Sequence, residues 1–506
     1  MWPTSGSTTS PTAAACGWAR SGPAASRRSS PTCSSAEFGC VTNTLVVGAG
    51  SAGCVLAARL SDDPARTVRV FEAGPVWAGP ADIPAPLLDP GHLPVGPESR
   101  VLWRYRGNIV RGRLVGGSGA INGSYFARPT AADFAAWSAA ADSALWSFES
   151  VLPTLRDLEH DHDFGTAPGH GVAGPIPVRR TADPAPVSVD FAERCAAAGF
   201  AEIADLNALP GAEPSDGYGR VPLASASGHR AGPALTHLYP VLHRPNLTVT
   251  GDTMVTRLLL RGDRVVGVEW VRGRERGTTF ADHVVVCAGA VESAALLIRS
   301  GIGPEQQLRA LGVPVVRPAP VGAWCTDHPE IGVEYPGAAP AGSTVALEYV
   351  LELGDLELRP YTPMFTPGLR RLGVALMNPE STGVLTLVSA DPSVPARIEQ
   401  HHLRAAADRD RSRAGVELAA EMLGLPLGAV DDAWLRAHLG TSQHLSGTCR
   451  MGPASDPRSV VDAGGRVHGV DGLTVADLSV VPVPLHRGPQ AATVLLATVI
   501  ARRHAV

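Results

Sequence analysis

Thr44 to Glu72 reads TLVVGAGSAGCVLAARLSDDPARTVRVFE. An apolar run ends at Val47 and is followed by Gly48-Ala-Gly50-Ser51-Ala-Gly53, a helical pattern, a second apolar run and an acidic residue. That order predicts a strand–helix–strand unit holding a dinucleotide. Gly48 permits the tight turn out of the first strand, Gly50 lets a pyrophosphate approach the backbone, and Gly53 lets the helix pack closely on the sheet. The phosphates are expected on the helix N-terminus, where unpaired N–H groups and the positive end of the dipole favour an anion. Glu72, 24 residues beyond Gly48, is placed to accept hydrogen bonds from the adenosine ribose hydroxyls and to repel a 2′-phosphate. The fingerprint alone leaves NAD and FAD both open.

The bulk properties narrow the class. The 506-residue chain is 44% apolar with a formal net charge of −5, which predicts a soluble globular protein large enough for two domains. The absence of a basic run argues against nucleic acid as a partner. No stretch approaches 18 consecutive apolar residues, so no transmembrane segment is expected, and peripheral membrane contact stays open. The eight cysteines show no paired metal spacing, and several stand in apolar segments, as Cys54 and Cys287 do. They read as reduced core residues of a cytoplasmic protein. Residues 1–40 are rich in Ser, Thr, Pro, Ala and Gly without apolar periodicity. They are expected to be disordered or not part of the working protein, the domain beginning at Val41.

Further along, Arg111 to Gly123 packs five glycines into thirteen residues, with Leu114, Val115 and Ile121 interleaved. This reads as a buried loop passing close to something bulky. The stretch 145–215 is polar and Pro-rich, and its His160, Asp161, His162 and Asp163 are adjacent loop residues from which no metal site is expected. Strands are predicted at Asn246–Thr250, Met254–Arg261, Arg264–Val271, His283–Val291 and Val384–Ser389. Helices are predicted at Glu292–Ser300 and Ala491–Arg503, and 333–378 gives mixed signals.

Four segments together resemble the glucose–methanol–choline (GMC) flavoprotein oxidoreductases. They are VVGAGSAGCVLAARLS with Glu72, RGRLVGGSGAINGSYFARP, GAVESAALLIRSGIGP with Val321–Pro329, and His444-Leu-Ser-Gly-Thr-Cys-Arg-Met-Gly452 with Asp477-Leu-Ser. The resemblance implies an α/β fold, a Rossmann-like FAD-binding domain with an inserted α+β substrate domain. Expected boundaries are 41–140, 216–325 and 441–506 for the FAD-binding domain, and 141–215 and 326–440 for the substrate domain. It further implies that Gly48, Gly50, Ser51, Gly53 and Glu72 hold the ADP half. Gly116, Gly117, Ser118 and Asn122 would border the flavin, Val255 would meet the adenine through its backbone, and Asp477 and Ala491 would contact the pyrophosphate and the ring. Ile121 stands where some relatives carry a tethering histidine, so non-covalent FAD is expected.

Oxidising a CH–OH group needs a base for the hydroxyl proton and an acceptor for the hydride, which flavin N5 would provide. His444 stands at the family's base, and neutral imidazole suits that task near pH 7. The family's second catalytic side chain falls on Gly488 in SVVPVPLHRGPQAAT. His486 is the leading replacement and Gln490 the other. Trp324 replaces the usual asparagine of the VGxN motif, Gly119 replaces a serine, and 330–430 is short compared with relatives, which implies an open site. The pattern resembles the mycofactocin-associated actinobacterial branch, which implies reoxidation of a reduced redox cofactor and electron transfer to a respiratory-chain component. Three readings stand beside it: a choline or small-alcohol dehydrogenase, a flavin-containing lyase, and an FAD-binding protein of reduced activity.

Overall fold

Five short strands form a parallel sheet in the order Leu247–Thr250, Arg66–Phe71, Thr42–Val47, His283–Val286, Leu473–Val475. Both faces are covered, so the strands read as runs rather than alternations: Val46, Val284, Val285 and Val286 are all fully buried. The register aligns Val47 with Phe71 on one side and Val286 on the other. Three strands therefore end at one edge, and Gly48, Glu72 and Gly289 emerge together there. The helix Ser51–Leu60 follows the first strand and packs against the final helix, Gln490–His504. This computed structural model describes residues 42–338 and 345–504. The expectation for residues 1–40 lies outside the described residues.

A second, seven-stranded sheet runs Leu439–Thr441, Pro329–Pro336, Leu369–Leu376, Leu356–Pro360, Tyr349–Leu353, Gly217–Arg220, Glu202–Ile203. The stretch 333–378, ambiguous by pattern, supplies its centre. Period-two alternation divides the residues between two faces. Ile331, Val333, Tyr349, Leu351, Leu358, Leu372 and Val374 share an apolar cluster with residues of helices Pro186–Ala197 and Ala406–Leu423. Glu330, Glu352, Glu357 and Arg359 alternate with them and belong to the opposite face. The polar stretch 145–215 contains two helices, Phe148–Leu158 and Pro186–Ala197, rather than loop alone, because their apolar positions recur at helical spacing between proline-rich turns.

The His/Asp run at 160–163 splits as the chain turns. His160 and His162 stack on each other, with ring centroids 4.3 Å apart, whereas Asp161 is buried. Ligand atoms of Glu159, Asp161 and His170 lie within 4.8 Å of one another, a cluster that reading adjacent residues missed. Arginines occupy it. Arg180 bonds Asp161 and Asp205, Arg128 pairs with Glu159 at 2.6 Å, and His170 spans Glu159 and Asp205 at 2.8 Å each. Burial opposes the charge on His170, but hydrogen bonds to Asp161, Asp205 and Glu159 outweigh it and raise the imidazole to about 10. A protonated ring has no lone pair for a metal.

Candidate active site

The cleft at the strand edge is built by close backbone contacts. Gly48 has φ +94°, and a Cβ there would lie 2.6 Å from the Cys287 carbonyl oxygen. At Gly53 it would lie 1.9 Å from the Gly48 carbonyl oxygen. Gly50 differs: its nearest neighbours would be 3.9 Å away, so the protein itself leaves this space free at the helix N-terminus. Gly50 is the N-cap and offers no side chain, which leaves the first-turn N–H groups for a ligand. Glu72 accepts from the Ala49 and Gly74 N–H groups at 2.8 and 2.9 Å, and burial lifts its carboxyl to about 7.

Gly48, Gly50, Ser51, Glu72, Gly117, Ser118, Val255 and Asp477 all line this cleft. Gly53 and Ala491 are buried behind it. Gly116 forms a backbone bridge to Gly50, and Asn122 lies behind the lining. Asp477 accepts from Gly289 N–H at 2.8 Å and from the Ser293 hydroxyl, so it ties the last strand to the start of helix Gly289–Arg299. Burial raises its pKa against those hydrogen bonds. Two guanidinium groups that the sequence reading did not single out, Arg111 and Arg299, also line the cleft, and the Nη2 atom of each is buried without a hydrogen-bond partner.

His444 lies between Gln443 and Leu445, which line the cleft, and its Nδ1 is 2.8 Å from Nδ1 of His328. The rings meet edge-on at 85°. Asp327 brings them together across 116 residues: one carboxylate oxygen accepts from the N–H of His328 at 2.8 Å and of His444 at 2.7 Å. Burial pushes His328 down to about 3. Burial also holds His444 well below its ordinary value, reinforced by His328, Arg359 and Arg111. Gln443 adopts φ +66°, an uncommon backbone for a non-glycine residue, and its amide oxygen accepts from Val110 N–H and Arg111. The signal for His328 was present in the Asp-His-Pro of Val321–Pro329, but sequence distance hid what it faces.

His486 makes no hydrogen bond to His444. Its Nδ1 is 2.7 Å from Asp133, in the first turn of helix Ala131–Ala141, and that hydrogen bond raises its pKa. Gly488 has no room for a side chain, because a Cβ would lie 2.6 Å from Cδ1 of Tyr125. The Tyr125 hydroxyl donates to Glu357 at 3.0 Å, and Glu357 pairs with Arg359. Gln490 lines the cleft at the strand edge and accepts from Ser51 at 3.2 Å and Asn122 at 3.4 Å. A Cβ on Gly119 would lie 2.3 Å from the Ser51 hydroxyl and 3.1 Å from the Gln490 amide, so the glycine accommodates this arrangement. Trp324 packs over Gly447, where a Cβ would overlap its ring.

Sequence models of the GMC oxidoreductase family match residues 42–330 and 379–497. The chain belongs to this family. It is 42% identical to a GMC-type oxidoreductase of Rhodococcus erythropolis, the match covering 90% of this chain and 96% of that one. It is 31% identical to the mitochondrial choline dehydrogenase of Homo sapiens, over 90% and 88% of the two chains. The crystal structure of a pyridoxine 4-oxidase superposes with a TM-score of 0.83 at 28% identity, covering 92% of this chain and 99% of that one. GMC oxidoreductases are FAD-dependent enzymes acting on CH–OH donors, and the fold is that of the family. The free space at Gly50 and the guanidinium nitrogens of Arg111 and Arg299 that lack hydrogen-bond partners fit an anionic dinucleotide.

Proposed function

We propose that this GMC oxidoreductase is an FAD-dependent dehydrogenase in which His444 takes the hydroxyl proton of the donor. FAD bound in the cleft would supply the hydride acceptor. The Nδ1–Nδ1 contact of His328 and His444 carries the proposal, since only one of the two nitrogens can hold the proton between them. The Leu485 carbonyl also faces His328 as an acceptor, and with Nδ1 turned to His444 we assign the His328 proton to Nε2. His328 Nδ1 is then the acceptor, His444 Nδ1–H donates to it, and His444 Nε2 is a bare base. Burial keeps that base neutral below pH 6.5.

Gly48, Gly50, Ser51, Gly53 and Glu72 would hold the ADP half, with Val255 at the adenine and Asp477 and Ala491 at the pyrophosphate end. Gly116, Gly117, Ser118 and Asn122 would border the ring, and Gln490 would help set Ser51 and Asn122. FAD would be non-covalent, as Ile121 lacks a nucleophile. The donor would be a bulky alcohol or a reduced redox cofactor of the mycofactocin type, and a respiratory-chain component would be the electron acceptor. The HRGPQ variation and the short 330–430 region support this donor class. Among the described residues no helix is long and apolar enough to cross a membrane.

Anaerobic flavin reduction tests the proposal with simple alcohols, choline, sugars and reduced mycofactocin. The reduced cofactor should bleach the flavin fastest, and His444→Ala should slow bleaching by about 10²–10⁴-fold. Unchanged bleaching in His444→Ala would remove the assigned base. Donor turnover with the flavin still oxidised would indicate a lyase.

A further inference from the structure

A second cleft, of about 890 Å³, opens at the other end of helix Ser51–Leu60, away from the dinucleotide site. Its walls carry four arginines and two aspartates: Arg59, Arg156, Arg244, Arg502, Asp62 and Asp157. Arg244 pairs with Asp62 at 2.7 Å and Arg502 with Asp157 at 2.9 Å. Arg59 and Arg156 have no carboxylate within 4.0 Å among the described residues. The C-terminal dipole of helix Ser51–Leu60 offsets only about half an elementary charge. More than one positive charge therefore faces the cleft uncompensated.

The cleft also holds an unsatisfied polar group. His237 lies in a π-helical turn, Ala234–Leu238, a rare conformation that recurs at functional sites. It lines the cleft, is only 5% exposed, and its Nε2 has no hydrogen-bond partner. Its Nδ1 lies 2.9 Å from the Thr236 hydroxyl, which donates to the Gly232 carbonyl at 3.3 Å. With the hydroxyl hydrogen so committed, Nδ1 is the protonated nitrogen and Nε2 an acceptor. Burial, together with Arg59, lowers this histidine to about 4 and keeps it neutral.

We propose that this cleft binds inorganic hydrogen phosphate, whose two negative charges meet Arg59 and Arg156 and whose one O–H donates to His237 Nε2.

Inorganic phosphate and sulfate are the probes, titrated calorimetrically into the FAD-loaded enzyme at about pH 7.5, where phosphate carries close to two charges and one O–H. Sulfate carries two charges and no O–H. Phosphate should bind once per chain and about 10-fold or more tighter than sulfate, since a sulfate oxygen leaves Nε2 unpaired. His237→Phe should bring the two anions to within about 2-fold, and the pair Arg59→Ala, Arg156→Ala should weaken phosphate about 10-fold or more. Arg156→Ala alone removes an exposed side chain with one hydrogen bond, to the His170 carbonyl at 3.3 Å, and should lower affinity in the same direction, which covers misfolding at Arg59. Arg274→Ala with Arg276→Ala, both exposed elsewhere, is the charge-matched control and should bind as wild type. Equal affinity for sulfate, no saturable binding, or equal loss in the control would overturn the proposal.

Discussion

Gly488 shows how one missing side chain is held missing by its neighbour. A Cβ would sit 2.6 Å from the Tyr125 ring, so Gly488→Ala overpacks a filled space and is expected to cost about 1–3 kcal/mol. The same change in a Tyr125→Ala background should cost much less, and chemical denaturation of the four proteins checks this. His486 and His328 separate in the same way. His486→Ala removes the contact to Asp133 and should lower the melting temperature more than the rate of flavin reduction. Replacing His328 with phenylalanine removes the acceptor for His444 Nδ1–H and should lower that rate with little loss of bound FAD. Because burial depresses His444, the reduction rate in the wild type should hold steady as pH falls to 6.5 and decline only well below it.

Among the elements, helix Ser51–Leu60 depends on one approach to the sheet. A Cβ at Gly53 would lie 1.9 Å from the Gly48 carbonyl oxygen, which is backbone and cannot rotate away. Gly53→Ala should therefore displace the helix N-terminus and sharply lower the ratio of flavin to protein absorbance, whereas a polar change on the exposed Arg69 should not. The seven-stranded sheet works through its two faces. Leu358 faces the helices, while Glu357 and Arg359 on either side of it join Tyr125, Glu330 and Ser442. The pattern was present as alternating Glu in LEYVLELGDLELRPY, but without knowing which face is covered, charged residues in strands read as mixed signals.

Across the molecule, the ionic knot around His170 links segments from Arg128 to Asp205 and sets a pH window for stability. His170 is raised to about 10 from 6.5, so its contribution is complete below 6.5 and is lost as pH rises through about 10. Asp161 is depressed by its bonds to His170 and Arg180, which outweigh burial. Its contribution is present above the usual carboxylate range and is lost as pH falls beneath it. His170→Asn leaves buried carboxylates short of a partner and is expected to cost about 3–5 kcal/mol near neutrality. The gap in melting temperature from wild type should be widest near pH 6 and narrow towards pH 10, and calorimetric scans across that range check it.

The dinucleotide-type turn, the parallel strands around it and the family were legible in the chain, because these rest on local backbone demands: glycines at fixed spacing, apolar runs and an acid at a strand end. The helices at 289–299 and 490–504 were legible within a few residues for the same reason. The partner of His444 emerged from long-range packing, since Asp327 draws together residues 116 apart. It likewise sent His486 to Asp133, filled the place beside Gly488 with Tyr125 and put Gln490 in the cleft at the strand edge. Such pairings are contacts across distant segments, and a side chain's role there depends on which neighbour reaches it, which no local pattern encodes.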